Sequence, residues 1–135
     1  MYTINNNYIY ELIIKNSKFI TLLYKINDIK DIDKHLIETK NNYPDATHYC
    51  YAYIIDNLKK AFDDGEPSGT AGIPILKVLE NNNLTNILVI IVRYFGGIKL
   101  GANGLIRAYT KCTANTIKEV NLLTLIDGIN IDIKR

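Results

Sequence analysis

Residues 86 to 93 read NILVIIVR, and no other stretch constrains the fold as tightly. A strand with one solvated face alternates apolar and polar residues, whereas Ile87 to Val92 are all aliphatic. Such a run belongs to a strand buried on both faces or set in a parallel pair. The rest of the domain must be arranged around it.

At 135 residues and 15.4 kDa, the chain is long enough for one domain with a core of its own. Residues 8–15 and 17–26 are rich in Ile, Leu, Tyr and Phe and meet at Asn16, which predicts two antiparallel strands joined by a tight turn. Asp28 is placed to cap a first helix in which Ile29, Ile32, Leu36 and Ile37 recur at helical spacing, ending before Tyr43-Pro44. Residues 47–55, THYCYAYII, alternate as a third strand. Ile73, Leu76 and Leu79 or Glu80 predict a second helix, and Pro74 must lie in its first turn because proline lacks an amide hydrogen. Thr70 is the preferred cap. The aliphatic strand follows, and a third helix is predicted over residues 104–120 with Asn103 as its cap. Residues 122–134 read as a further strand or a tail, with Asp127-Gly128 as a turn. The order is β-β-α-β-α-β-α, an α/β fold of the two-layer α+β sandwich kind with one mixed sheet. No internal repeat or Ser/Pro linker divides it.

Composition excludes several classes of function. No apolar run approaches the roughly 18 residues of a membrane span, so no membrane partner is expected. MYTINNNYIY lacks the basic and apolar regions of a secretory signal, which gives a cytoplasmic expectation. Cys50 and Cys112 are too few for a disulfide framework and lack CxxC spacing. A formal net charge of +2 is too mild to mark a nucleic-acid binder by bulk electrostatics, so that case rests on local clusters. The asparagine runs at 5–7 and 81–83 read as compositional bias in loops.

Two loops carry the chemistry. If strands 47–55 and 86–93 are parallel, as a helical crossover implies, DDGEPSGTAG (63–72) and RYFGGIKLGANG (93–104) leave the same sheet edge. Helix N-termini there favour anions, and Arg93, Lys99, Arg107 and Lys111 add positive charge. Asp63, Asp64 and Glu66 bring carboxylates to the same edge. These acids form a cap and ion-pair network with the helix amides and arginines, or a contact surface, or a hard-cation site, although Asp-Asp-Gly-Glu lacks EF-hand spacing. Gly96, Gly97, Gly101 and Gly104 allow tight turns or close approach to a phosphate, but they match neither a Walker A loop nor GxGxxG. Tyr94, Phe95 and Tyr109 beside Arg93 and Arg107 suit base stacking in single-stranded nucleic acid, or else Phe95 and Tyr109 are core. His48 and Cys50 share a strand face without a third orienting group, and Cys50 reads as core beside Ala52 and Ile54. Ser68 lacks the GxSxG elbow of a hydrolase nucleophile.

DDGEPSGTAGIPILKVLE, NILVIIVRYFGGIKLGANGLIRAY, ATHYCYAYI and SKF at 17–19 together resemble the YigZ/IMPACT family over residues 17–114. The resemblance implies a fold similar to the second domain of ribosomal protein S5, with a left-handed crossover. It also implies a YigZ/IMPACT-type N-terminal domain over residues 1–121, with residues 122–135 a tail or the start of an absent second domain. Asn103 departs from the family pattern, which has a small residue there. The resemblance brings no catalytic residue, metal or cofactor; it implies a link to translation through RNA or a translation-associated protein. The binding residues expected are Asp63, Asp64, Glu66, Ser68, Gly69, Thr70, Arg93, Tyr94, Gly96, Gly97, Lys99, Gly101, Gly104 and Arg107. The rival expectation is a metal-assisted hydrolase or transferase acting on a phosphorylated small molecule or nucleotide through the three acids.

Overall fold

The computed structural model describes the backbone of residues 1–126 and 129–134 and the side chains of residues 1–120. In chain order the elements are β1 (Tyr2–Ile4), β2 (Tyr8–Ile14), β3 (Ser17–Lys25), α1 (Lys30–Asn42), β4 (His48–Ile55) and β5 (Leu58–Phe62). There follow α2 (Gly72–Asn81), β6 (Ile87–Tyr94), α3 (Gly101–Lys118), β7 (Asn121–Ile126) and β8 (Ile129–Lys134). The main sheet has the order β2-β3-β6-β4-β5, and a smaller sheet has the order β1-β7-β8.

The aliphatic run forms β6, the central strand, and it is buried on both faces. Ile87, Val89 and Ile91 join Phe19, Leu23, Cys50 and Ala52 under α2 and α3. Leu88, Ile90 and Val92 join Ile20, Leu22, Tyr51 and Ile55 on the opposite face, where α1 adds Ile32 and Leu36. Every strand pairing in the main sheet is antiparallel, β4 with β6 included, with His48 opposite Arg93 and Ile54 opposite Ile87. The α+β architecture therefore stands, and the expected mixed sheet with parallel strands 47–55 and 86–93 is corrected. Burial on both faces, with no parallel neighbour, accounts for the run.

The correction has a topological cause. A hairpin at Asp56-Asn57, with Asp56 at φ +53°, sends β5 back along β4. The loop after β5 thus returns to the start of β4, which is also where β6 ends. Strands β3 and β4 are parallel with β6 between them, and β5 and β6 are parallel with β4 between them. Their helices α1 and α2 cross opposite faces. Reversing strand direction, lateral displacement and face together inverts the hand of a crossover, so one of the two units is left-handed, an exception to the usual rule and the feature implied by the family resemblance.

The tight turn between β2 and β3 places Lys15 at φ +46° and Asn16 at φ +65°, the twist-matched conformation of a two-residue hairpin. Gly96 lies against this turn, where an added Cβ would fall 2.0 Å from the Asn16 carbonyl oxygen. Only glycine allows the β6–α3 loop to touch the hairpin so closely. The segment expected as a strand or tail contains two strands, β7 and β8, which pair antiparallel, and β7 also pairs with β1; Asp127-Gly128, expected as a turn, lie outside the described residues. Among the described residues no helix is long and apolar enough to cross a membrane.

Candidate functional site

The 63–71 loop leaves β5 and the 95–100 loop leaves β6 at one end of the sheet, beside His48 at the start of β4. Between them is a cleft of about 380 Å³ lined by Thr47, His48, Glu66, Arg93, Phe95 and Lys99, among others. Its wall is a buried polar network. Nη1 of Arg93 donates to both Glu66 carboxylate oxygens at 2.9 and 2.8 Å, and the Tyr109 hydroxyl donates to the same carboxylate at 2.6 Å. Nε and Nη2 of Arg93 both donate to Ser17 Oγ at 3.3 Å. The guanidinium carbon lies 5.6 Å from the Phe19 ring centroid and 5.5 Å from that of Phe95, within cation–π range of both.

Glu66 is 7 % exposed and Arg93 4 %. Charges so removed from water persist only when each is paired and hydrogen-bonded. His48 completes the arrangement: Nδ1 lies 2.7 Å from the Asp64 carbonyl oxygen, which only accepts, so Nδ1 carries a hydrogen. Nε2 then faces Glu66 Oε1 at 3.3 Å.

The other two acids are engaged with backbone. Asp63 accepts from the amides of Gly69 (2.9 Å), Ala71 (3.2 Å) and Gly72 (2.9 Å), and so caps α2 from eight residues before its N-cap, Ala71. This corrects the expectation for Thr70, whose hydroxyl turns back to the Pro67 carbonyl. Pro74 lies in the first turn of α2, as proline requires. Asp64 accepts from the Tyr49 amide at 2.7 Å, fastening the loop to β4. Asn103 is likewise corrected: α3 starts at Gly101, three residues before the expected Gly104, and no side chain caps it. Of the two helix N-termini at this edge, that of α2 is satisfied by Asp63 and that of α3 opens onto the cleft at Gly101.

The expected site residues thus separate into groups. Asp63, Asp64, Glu66, Gly69, Thr70, Arg93 and Gly96 build the edge. Ser68, Gly97, Lys99 and Gly101 lie at its surface, with Phe95 and Ile98 each 45 % exposed beside them. Tyr94 projects to the opposite face, where its hydroxyl donates to the Pro44 carbonyl. Gly104 and Arg107 line a different cavity. Ser17, His48 and Tyr109 were not expected as partners of the acids and the arginine, because they lie 18 to 76 residues away along the chain and only the sheet register joins them.

Tyr109 is fully buried, and burial first, then the nearby Cys50 and Glu66, raise its pKa far above the ordinary tyrosine range. Burial, then the carboxylates of Glu66, Asp64 and Asp63, push the Cys50 thiol up to about 12; burial likewise pushes Cys112 up to about 12. Thiols held protonated in this way are poor nucleophiles. Among the described residues, no group of three His, Cys, Asp or Glu side chains is placed to hold a metal ion.

The Impact N-terminal domain profile matches residues 15–117. The chain is similar to the IMPACT family member YvyE of Bacillus subtilis, 42% identical over 117 residues, covering 84% of this chain and 54% of that protein. It is similar to the IMPACT family member YigZ of Escherichia coli, 40% identical, covering 71% of this chain and 50% of the other. Human Protein IMPACT is 33% identical, covering 69% of this chain and 30% of the other. A crystal structure described as a hypothetical protein superposes with a TM-score of 0.86 at 30% identity, covering 91% of this chain and 65% of that one. The chain spans about half the length of the bacterial relatives it matches. With the profile covering most of its residues, and the buried Glu66–Arg93 pair joining the two motif loops, this chain belongs to the IMPACT family through that family's N-terminal domain.

Proposed function

We propose that this domain is a non-catalytic, cytoplasmic binding module linked to translation, and that it contacts RNA through the surface made by the 63–72 and 93–104 loops. The observation that carries the reading is the unneutralised side of the cleft. Lys99 and the uncapped start of α3 at Gly101 offer positive potential and free amide donors, with Phe95 exposed beside them as a stacking surface. Asp63, Asp64, Glu66, Gly69, Thr70, Arg93 and Gly96 serve by holding this surface in place, while Ser68, Gly97, Lys99 and Gly101 meet the partner. Arg93, already paired with Glu66, contributes rigidity. The link to translation rests on membership of the family. The proposed binding unit spans residues 1–121, to which β7 and β8 attach by the pairing of β7 with β1.

Titration of the full chain with short single-stranded RNA tests the proposal. Binding should weaken as salt rises, and Phe95→Ala should weaken it by roughly 1–3 kcal/mol, the worth of one stacked base. A protein target is the outcome if capture of a translation-associated partner survives RNase treatment while RNA itself does not bind. The rival reading, a metal-assisted hydrolase, requires turnover of nucleotides or phosphoesters with Mg²⁺ or Mn²⁺ that disappears in Asp64→Asn. The engagement of Asp63 and Asp64 with backbone amides speaks against it.

A further inference from the structure

A second cavity, of about 300 Å³, lies between the β2–β3 turn and one side of α3, lined by Ile14, Lys15, Leu100, Gly104, Arg107, Ala108 and Lys111. It shares no lining residue with the Glu66 cleft. Three cations therefore border one groove. Among the described residues the ion pairs are Lys18–Glu11, Lys59–Glu80, and Arg93 and His48 with Glu66, so Lys15, Arg107 and Lys111 have no carboxylate partner, and no acid lines the groove. Arg107 and Lys111 stand one helical turn apart, where like charges destabilise a helix by about 0.2–0.5 kcal/mol. A sequence that accepts this cost around an open cavity is shaped for something other than folding.

Gly104 points the same way. It lies inside α3 without a positive φ, a position where glycine costs about 1 kcal/mol relative to alanine. A Cβ there would fall 3.1 Å from the Leu100 Cβ and push that lining residue. The missing Cβ leaves Leu100 in place, and with Ile14 and Ala108 it makes the apolar part of the lining. A binding surface for bare inorganic anions would not need such an apolar part.

We propose that this groove binds an organic phosphate, with the phosphate held by Lys15, Arg107 and Lys111 and a planar or apolar body resting on Ile14, Leu100 and Ala108. A nucleotide has this chemistry, either free or as the 5′-phosphorylated end of an RNA. The arginine fork suits a phosphate's oxygens, and the lysines add point charge.

Calorimetric titration of the full chain with AMP, adenosine and inorganic phosphate tests the assignment. AMP should bind measurably below about 1 mM, and adenosine and phosphate alone should each bind at least about tenfold more weakly, since each makes only part of the contact. Arg107→Gln and Lys111→Gln should each weaken AMP about five- to tenfold, a loss of roughly 1–1.4 kcal/mol, and Lys77→Gln on α2 should leave it unchanged. Gly104→Ala should weaken AMP while the unfolding midpoint holds or rises, a pairing that general damage to the fold would not produce. Comparing AMP with a short RNA bearing a 5′-phosphate or a 5′-hydroxyl separates the sources: tighter binding of the phosphorylated end identifies an RNA terminus, and equal binding of AMP a free nucleotide. Absence of AMP binding at about 1 mM, AMP binding indifferent to Arg107→Gln, or tighter binding of an oligoglutamate peptide than of AMP would overturn the proposal. Because the groove and the cleft share no residue, either site can fail while the other stands.

Discussion

Arg93 and Arg107 lie fourteen positions apart in one motif-bearing segment, yet the fold gives them opposite circumstances. Arg93 lies one residue before the end of the central strand, where Glu66, Ser17, Phe19 and Phe95 enclose it; Arg107 stands exposed on α3 with Lys111 one turn on and no acid among the groove's lining residues. The first charge is consumed in joining two loops to the sheet. The second remains available to a ligand. A basic residue in a motif is thus no guide to binding until its partner is known, and the two sites should respond to mutation with different readouts.

The largest expected effect is at the buried pair. Arg93→Ala leaves Glu66 buried without its cation and should cost about 3–5 kcal/mol in urea unfolding. A loss below about 1 kcal/mol, the level of an exposed ion pair, would break the contrast.

Asp63→Ala should come next, at about 1–2 kcal/mol, because two amides at the start of α2 and the Gly69 amide in the preceding loop lose their acceptor. Asp63→Asn should recover part of this, since its amide oxygen still accepts.

Alkaline pH acts on the buried thiols beside and beyond the Glu66 network. Cys50 and Cys112 hold their protons more tightly when folded than when unfolded, so their contribution to stability is complete below the unfolded-thiol value of 9.0 and is lost as pH rises towards about 12. Unfolding measurements across that window should show stability falling, with a shallower fall in Cys50→Ala. A thiol-specific reagent at pH 8 should label neither cysteine until the chain unfolds.

The smallest effect belongs to the groove. Arg107→Gln combined with Lys111→Gln should change stability by no more than about 0.5 kcal/mol, with the sign towards stabilisation as a like-charge pair is removed. A clear destabilisation would mean that these cations have structural partners after all.

Much of this was legible in the sequence, partly through compensation. The aliphatic run correctly located the central strand, and the two motif loops do meet at one edge. They meet there for a reason the sequence reading missed: β4 and β6 are antiparallel, and the unrecognised β5 restores the convergence. LKKAF carries two lysines and lies at a sheet edge, where charge protects an open strand and weakens its apolar signal. The cap of α2 was misplaced because Asp63 reaches forward across its own loop, whereas sequence rules look one residue before the helix. The pairing of Glu66 with Arg93 was among the open alternatives, but its Tyr109, His48 and Ser17 partners depend on sheet register and long-range packing.

At the motif edge buried charge holds the loops together, and the proposed role of the exposed charge is to bind. The most direct test is the slope of log binding constant against log salt for single-stranded RNA, measured on the unaltered chain and on Lys99→Ala. The slope should be shallower by about 1 in the variant, with an unchanged unfolding midpoint. An identical slope in the two proteins would contradict that role.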